Sequence, residues 1–197
     1  MTRNANSVNI KSYHHGDLRS AVVAEGLRLL QDREAESLSL REISRNVGVS
    51  ATALYRHFPD KASLFEALAE AGYAQLAREQ AEAAAGGGAS GFAAMGQAYV
   101  RFALANPALF RLIFVAKSSH AHPFQDAPKG TAASLLQTGV AELMDPDAPA
   151  EARFATMLRA WSLVHGLAML ILDGQVERNV AEAMIAQIIS EDSLNFA

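Results

Sequence analysis

Apolar residues in this chain recur at intervals of three and four, and strict alternation is almost absent, so the pattern predicts an all-α fold. Leu18, Val22 and Leu29 share one face of a first helix from about Asp17 to Gln31, with Asp17 placed to favour the helix dipole. A second helix opens at Ser39-Leu40-Arg41-Glu42, the pattern of a capping box in which Ser39 caps and Glu42 reaches back. Leu38 and Ile43 stand at the positions of a hydrophobic staple, Leu40, Ile43 and Val47 form a short stripe, and Gly48 suits the left-handed end of a helix. Ser50 can cap a third helix, Ala51 to His57 or Phe58, which Pro59 stops. Asp60 can cap a fourth, continuing to about Ala83, before the break at Gly86-Gly87-Gly88.

Further helices are expected near 90–105, 107–116, 128–144, 150–173 and 177–190, about nine in all. Asn106-Pro107 reads as an N-cap followed by proline at the first helical position, Lys117 to Pro128 as a loop and Asp145-Pro146-Asp147 as a turn. The expected organisation is a loose tail at 1–13, a three-helix unit with a helix-turn-helix at 14–74 and a helical bundle at 75–197.

Composition changes this picture only in part. Half of the 197 residues are apolar, enough for a substantial core. The absence of cysteine excludes disulfide scaffolds, thiolate metal sites and cysteine nucleophiles, and fits a reducing cytoplasm. The most apolar run, Leu163 to Leu172, is interrupted by His165 and Gly166 and reads as a buried helix rather than a membrane span; no secretory leader is expected at the N-terminus. The net charge of -4 is unevenly spread: residues 1–61 hold nine Lys/Arg against seven Asp/Glu, and residues 62–197 hold eight against fourteen. A mildly basic head on an acidic body suits a protein that meets a duplex with one end.

Two short helices separated by Gly48-Val49-Ser50 have the spacing of a helix-turn-helix, in which one helix braces another lying in the major groove. Ala51, Thr52 and Arg56 stand where side chains reach base edges, while Leu54 and Phe58 face inward. Spacing alone is equally met by helical hairpins that bind no DNA.

The stretch Leu-Ser-Leu-Arg-Glu-Ile-Ser-Arg-Asn-Val-Gly-Val-Ser-Ala-Thr-Ala-Leu-Tyr-Arg-His-Phe-Pro-Asp-Lys at 38–61 resembles the signature of the tetracycline-repressor (TetR) family, and the likeness is dense over about residues 14–72. Tyr13 to Arg19 and the later Trp161-Ser-Leu-Val-His-Gly166 resemble a branch of that family with a Trp-His-Gly regulatory domain. The resemblance implies that Arg41 contacts a base or the backbone, that Thr52 and Arg56 face bases, that Ala51 faces a base with only an apolar contact to offer, and that Tyr55, His57 and Lys61 hold phosphates. Ser39 and Ser50, opening the two helices, belong to the same DNA-facing set. Alternatives stand beside these roles. Tyr55 is also a plausible core aromatic, His57 a helix terminator, and Arg56 and Arg45 solvated surface, while Arg3 and Lys11 suit either a minor-groove arm or a free tail.

The resemblance also implies a homodimer through the last two helices, and Ala183, Ile185, Ala186, Ile188 and Ile189 make the last of them apolar on more than one side. Phe92, Met95, Tyr99, Phe102, Phe110, Phe114, Met157, Trp161, His165 and Met169 can line a cavity for a small apolar or aromatic ligand, or can be plain core. Trp161 and His165, four apart, also suit a structural pair, with indole stacked on imidazole and His165 bonded to a neighbouring helix. His14-His15 and His120-x-His122 lack a ligand framework, so no metal, cofactor or catalytic residue is expected. The function expected is a sequence-specific regulator of transcription, a repressor released from a palindromic operator by a small ligand. A DNA-binding regulator without a ligand and a helical protein-interaction adaptor are the alternatives.

Overall fold

A computed structural model describes residues 15–115 and 127–191, and among these it contains nine α-helices and no strand. They are α1 (His15–Leu29), α2 (Leu40–Val47), α3 (Ala51–Tyr55), α4 (Lys61–Ala83), α5 (Gly88–Ala105), α6 (Pro107–Val115), α7 (Ala132–Leu143), α8 (Ala150–Leu172) and α9 (Arg178–Ile188). The expected tail at 1–13, the His14-His15 and His120-x-His122 side chains and nearly all of the 117–128 loop lie outside the described residues.

The head is α1 to α3 closed by the start of α4. Val22, Ile43, Leu54, Phe58, Leu64 and Leu68 are fully buried and fill the space between these helices. The spacing of three and four marked Val22, Ile43, Leu54 and Phe58 in the sequence because it returns a side chain to one helix face. The body is built on α4, which runs without interruption out of the head and carries α5, α6 and α7 on its second half. Gly72 permits the close approach of α6: a Cβ there would stand 2.7 Å from Leu109. Chain direction turns by 106° between α5 and α6.

Several helix ends differ from expectation. The Ser39 side chain makes no capping hydrogen bond, although its backbone has the extended conformation of a cap. Glu42, which a capping box would turn back on Ser39, instead accepts from Arg33 at 2.8 Å. Complete capping boxes stand at Asp60 with Ser63, before α4, and at Thr131 with Ser134, which starts α7 later than the pattern suggested. Asn106 does not cap α6 with its side chain. Its carboxamide donates to the Phe102 carbonyl and accepts from Gln31, just beyond α1. The short helix α3 ends at Tyr55, before His57, and a turn in which the His57 and Phe58 amides both donate to the Leu54 carbonyl leads on to Pro59.

By length and mean hydropathy (1.5) α8 is long and apolar enough to cross a membrane, which the interrupted run 163–172 had not suggested. Its inner face, through Ala160, Val164, Ala168 and Ile171, is buried in the core. Its outer face carries Glu151 and Arg159 among apolar residues.

Candidate nucleic-acid interface

The turn between α2 and α3 is built by the backbone. Gly48 closes α2 at φ 78°, a left-handed conformation in which a side chain would be strained. The Gly48 amide donates to the Arg45 carbonyl at 3.1 Å and the Val49 amide to the Ser44 carbonyl at 2.9 Å, the paired bonds of a Schellman ending. Ser50 Oγ then accepts from the Ala53 amide at 3.1 Å and starts α3. The sequence pattern foretold both devices.

Leu54 and Phe58 are buried beneath α3, so the opposite face points outward by construction. That face presents Thr52, Tyr55 and Arg56, all exposed, with Ala51 half-buried beside them. Tyr55 is 42% exposed, which removes the core-aromatic alternative. Ser39, Arg41 and Arg45 are exposed along α2, and Ser50 at the turn. His57 is half-buried and engaged with a neighbour. Lys61 behaves differently from a free phosphate-seeking cation: its ammonium donates to the Glu36 carbonyl and lies 5.2 Å from the centre of the Phe65 ring.

The brace is held to α1 by a carboxylate the sequence reading did not single out. Glu25 accepts from Nε and Nη2 along one guanidinium edge of Arg28, each at 2.7 Å, and from Asn46 Nδ2 of α2, also at 2.7 Å. The bonds from Arg28, followed by that from Asn46, hold the Glu25 carboxyl down to about 2 against the ordinary 4.5. Its helix-surface spacing from Arg28 was visible in the sequence; its reach to Asn46, 21 positions away, was not.

In the body, Phe110, Phe114, Trp161 and His165, four of the residues considered for ligand contact, meet around a fifth, Tyr99. Trp161 Nε1 donates to the Tyr99 hydroxyl at 3.2 Å, and that hydroxyl lies 2.9 Å from His165 Nδ1. An indole N–H can only donate, so each group is satisfied when Tyr99 accepts from Trp161 and donates to His165, leaving the imidazole proton on Nε2. Burial lowers the pKa of His165 and raises that of Tyr99, which keeps both neutral. Phe110 and Phe114 pack their rings against the same imidazole. The Trp161 and His165 rings are 5.7 Å apart and inclined by 46°, so the pair is not stacked; the Tyr99 bond sets the imidazole's orientation. His165 does bond to a neighbouring helix, α5. Phe102 and Phe110 are fully buried core, Phe114 is part-exposed, and Met157 is half-buried one turn before Trp161.

Residues 22–68 match the sequence model described as "Bacterial regulatory proteins, tetR family", and residues 92–190 match "Tetracyclin repressor-like, C-terminal domain". The chain belongs to the TetR family. Members of the family are DNA-binding regulators of transcription rather than enzymes, and they bind operators as dimers. Solved structures agree over nearly the whole chain. A protein of unknown function from Rhodococcus sp. RHA1 is 27% identical with a TM-score of 0.68, covering 93% of this chain and 96% of its own. TetR from Acinetobacter baumannii AYE shares the fold at 18% identity and a TM-score of 0.65, covering 93% and 95%. A TetR transcriptional regulator from Rhodococcus sp. RHA1 does so at 22% and 0.53, covering 90% and 94%. In this TetR-family chain the exposed face of α3 and the start of α2 coincide with the matched N-terminal region.

Proposed function

We propose that this protein is a repressor that binds a palindromic operator as a homodimer and leaves it when a small apolar or aromatic ligand binds the body. The observation that carries the DNA half is the outward row of Thr52, Tyr55 and Arg56 on a short helix pinned from behind by Leu54 and Phe58. In this reading Arg41, Thr52 and Arg56 contact bases or backbone, and Ala51 makes an apolar contact. Ser39, Ser50, Tyr55, His57 and Lys61 hold phosphates and fix the register. Lys61 must exchange the Glu36 carbonyl for a phosphate. Residues 14–74 act as the reading head and 75–197 as the sensing and dimerising body, within a cytoplasmic protein of the Trp-His-Gly branch.

Dimerisation through α8 and α9 is supported by the outer face of these helices, where Phe154, Leu158, Leu170 and Val180 are exposed. Gly166 lies on that side of α8, and a Cβ there would meet nothing within 4 Å. Among the described residues nothing requires glycine at this position, where it weakens a helix; in this reading close approach of a second copy's helix accounts for it. Ligand sensing is supported by the hydrogen-bonded group of buried Tyr99 with half-buried Trp161 and His165, next to part-exposed Phe114.

Titration of the protein against duplexes obtained by random-sequence selection, at two salt concentrations, tests the reading. Selective binding that weakens in Arg41→Ala and Tyr55→Phe is the expected result. Selection that enriches no sequence would leave a helical adaptor as the better account.

A further inference from the structure

The hydrogen bonds around Tyr99 leave one polar group over. Trp161 Nε1 donates to the Tyr99 hydroxyl and that hydroxyl donates to His165 Nδ1, so the imidazole proton stands on Nε2. Nε2 has no hydrogen-bond partner among the described residues. The proton cannot move to the other nitrogen without breaking the bond from Tyr99, which is buried and itself held by Trp161. The imidazole is also held from its sides: Phe114 meets it edge to face with centroids 4.8 Å apart, and Phe110 lies 5.6 Å away at 32°. Phe114 is 39% exposed and His165 and Trp161 are half-buried, so the group is reached from the surface beside Phe114. A fixed N–H donor thus stands among aromatic rings with no acceptor from the described residues. A water meeting that N–H has one polar partner here, where a well-held buried water has about three. A ligand atom that accepts the same bond displaces such a water at little cost.

We propose that this group selects a neutral ligand carrying a hydrogen-bond acceptor, a carbonyl oxygen on a compact aromatic body, and that the Nε2–H of His165 is what selects it. The inference deepens the sensing role proposed above for the same group and rests on it. Phe114 and Trp161 supply apolar surface for the aromatic body. The acceptors of the group are already engaged, Nδ1 by Tyr99 and the Tyr99 oxygen by Trp161, so a ligand that can only donate finds no partner. Phe110 and Phe114 meet edge to face at 65°, which spends an aromatic face that would otherwise attract a cation. An anion would leave water without gaining a counter-charge from Arg111, the cation next to Phe110 in the chain, because Arg111 is paired with Asp173. A carbonyl oxygen takes the one bond on offer and brings no charge to be desolvated.

The test is calorimetric titration of the full-length protein, without DNA, with acetophenone, α-methylstyrene and 1-phenylethylammonium. The three probes share a shape and differ in one group: a carbonyl that accepts, a methylene that does neither, and an ammonium that only donates. Acetophenone is expected to bind about threefold to tenfold more tightly than α-methylstyrene, with the ammonium weakest. In proton–nitrogen correlation spectra acetophenone should shift the His165 Nε2 resonance, identified by its loss in His165→Gln. His165→Leu should bring the ketone down to the level of the hydrocarbon. His165→Gln, whose carboxamide accepts through Oε1 and donates through Nε2, should keep part of the preference, whereas a merely structural role would weaken all three probes together in both variants. The ranking and the resonance are read on the parent protein, so they decide the matter even if His165→Leu does not fold. Equal affinity for ketone and hydrocarbon, or tighter binding of the ammonium, with the resonance shifted, would overturn the acceptor class and leave the sensing site standing. A His165 resonance that no probe moves would overturn both.

Discussion

Gln31 and Asn106, 75 positions apart, are joined by a 3.0 Å hydrogen bond from Gln31 Nε2 to Asn106 Oδ1. The first residue lies just beyond α1 in the head, and the second is the corner between α5 and α6. Asn106 is buried, and its amide is also spent on the Phe102 carbonyl, so it cannot turn away without leaving a polar group unmet. Any shift of the α5–α6 corner is therefore felt at the end of the helix that supports the reading head.

Asn106→Ala is expected to destabilise the protein by about 1–3 kcal/mol, while Gln31→Ala, on the exposed side of the same bond, costs less than about 1 kcal/mol. Urea unfolding of the two single variants and the double one measures their coupling. Strictly additive losses would mean that the bond contributes nothing in solution.

Arg41→Ala is expected to weaken operator binding by about 1–3 kcal/mol and to relax preference at one base position. Lys61→Met should weaken all sequences alike and reduce the slope of log affinity against log salt by about 1. Fluorescence anisotropy across a salt series separates the two. A base-specific loss in Lys61→Met would contradict its assignment to phosphate.

Gly166→Ala places a methyl group in open space and removes a helix-weakening glycine, so the monomer should gain up to about 1 kcal/mol. Gly166→Leu should leave the monomer folded but shift the assembly towards monomer. Sedimentation at several concentrations reads the outcome; an unchanged dimer would remove this face of α8 from the interface.

His165 has its pKa lowered by burial from the ordinary 6.5, so the folded protein resists the proton that the unfolded chain accepts. The stability associated with neutral His165 is complete above 6.5 and declines as pH falls from there towards the folded value. Trp161 is the only tryptophan and lies 5.7 Å from the imidazole, so its emission should titrate with a midpoint below 6.5. His165→Gln should abolish that transition, and its persistence would assign the proton elsewhere.

Glu25 supplies a second, separate window. Its carboxyl is held at about 2, so its contribution is complete above 4.5 and is lost as pH falls from 4.5 through about 2. Denaturation midpoints of the parent and Glu25→Gln should converge over that interval. Parallel curves would show that the contact to Arg28 and Asn46 is not maintained in solution.

Local rules in the sequence determined the elements. The recurrence of Leu18, Val22, Ile43, Leu54 and Phe58 specified buried faces, Gly48 and Ser50 specified the turn, and Asp60 and Pro59 bounded the helices, because each acts within a few residues of itself. Those same rules placed Thr52 and Arg56 opposite Leu54 and Phe58, while the core alternative for Tyr55 was removed only by its exposure in the packed structure. The resemblance over residues 38–61 added the chemistry of that face, which periodicity cannot supply. The tertiary structure alone decided which partner each polar group takes. Glu42 had a helical cap within reach and went to Arg33; Asn106 had the amides of α6 and went to Gln31; Lys61 had solvent and went to Glu36 and Phe65. A side chain with several partners of similar chemistry is assigned by which of them the packed helices bring within 3 Å or so, and those distances follow from the arrangement of the whole core. The group around Tyr99 is of the same kind: its members come from α5, α6 and α8, and no local pattern links these helices.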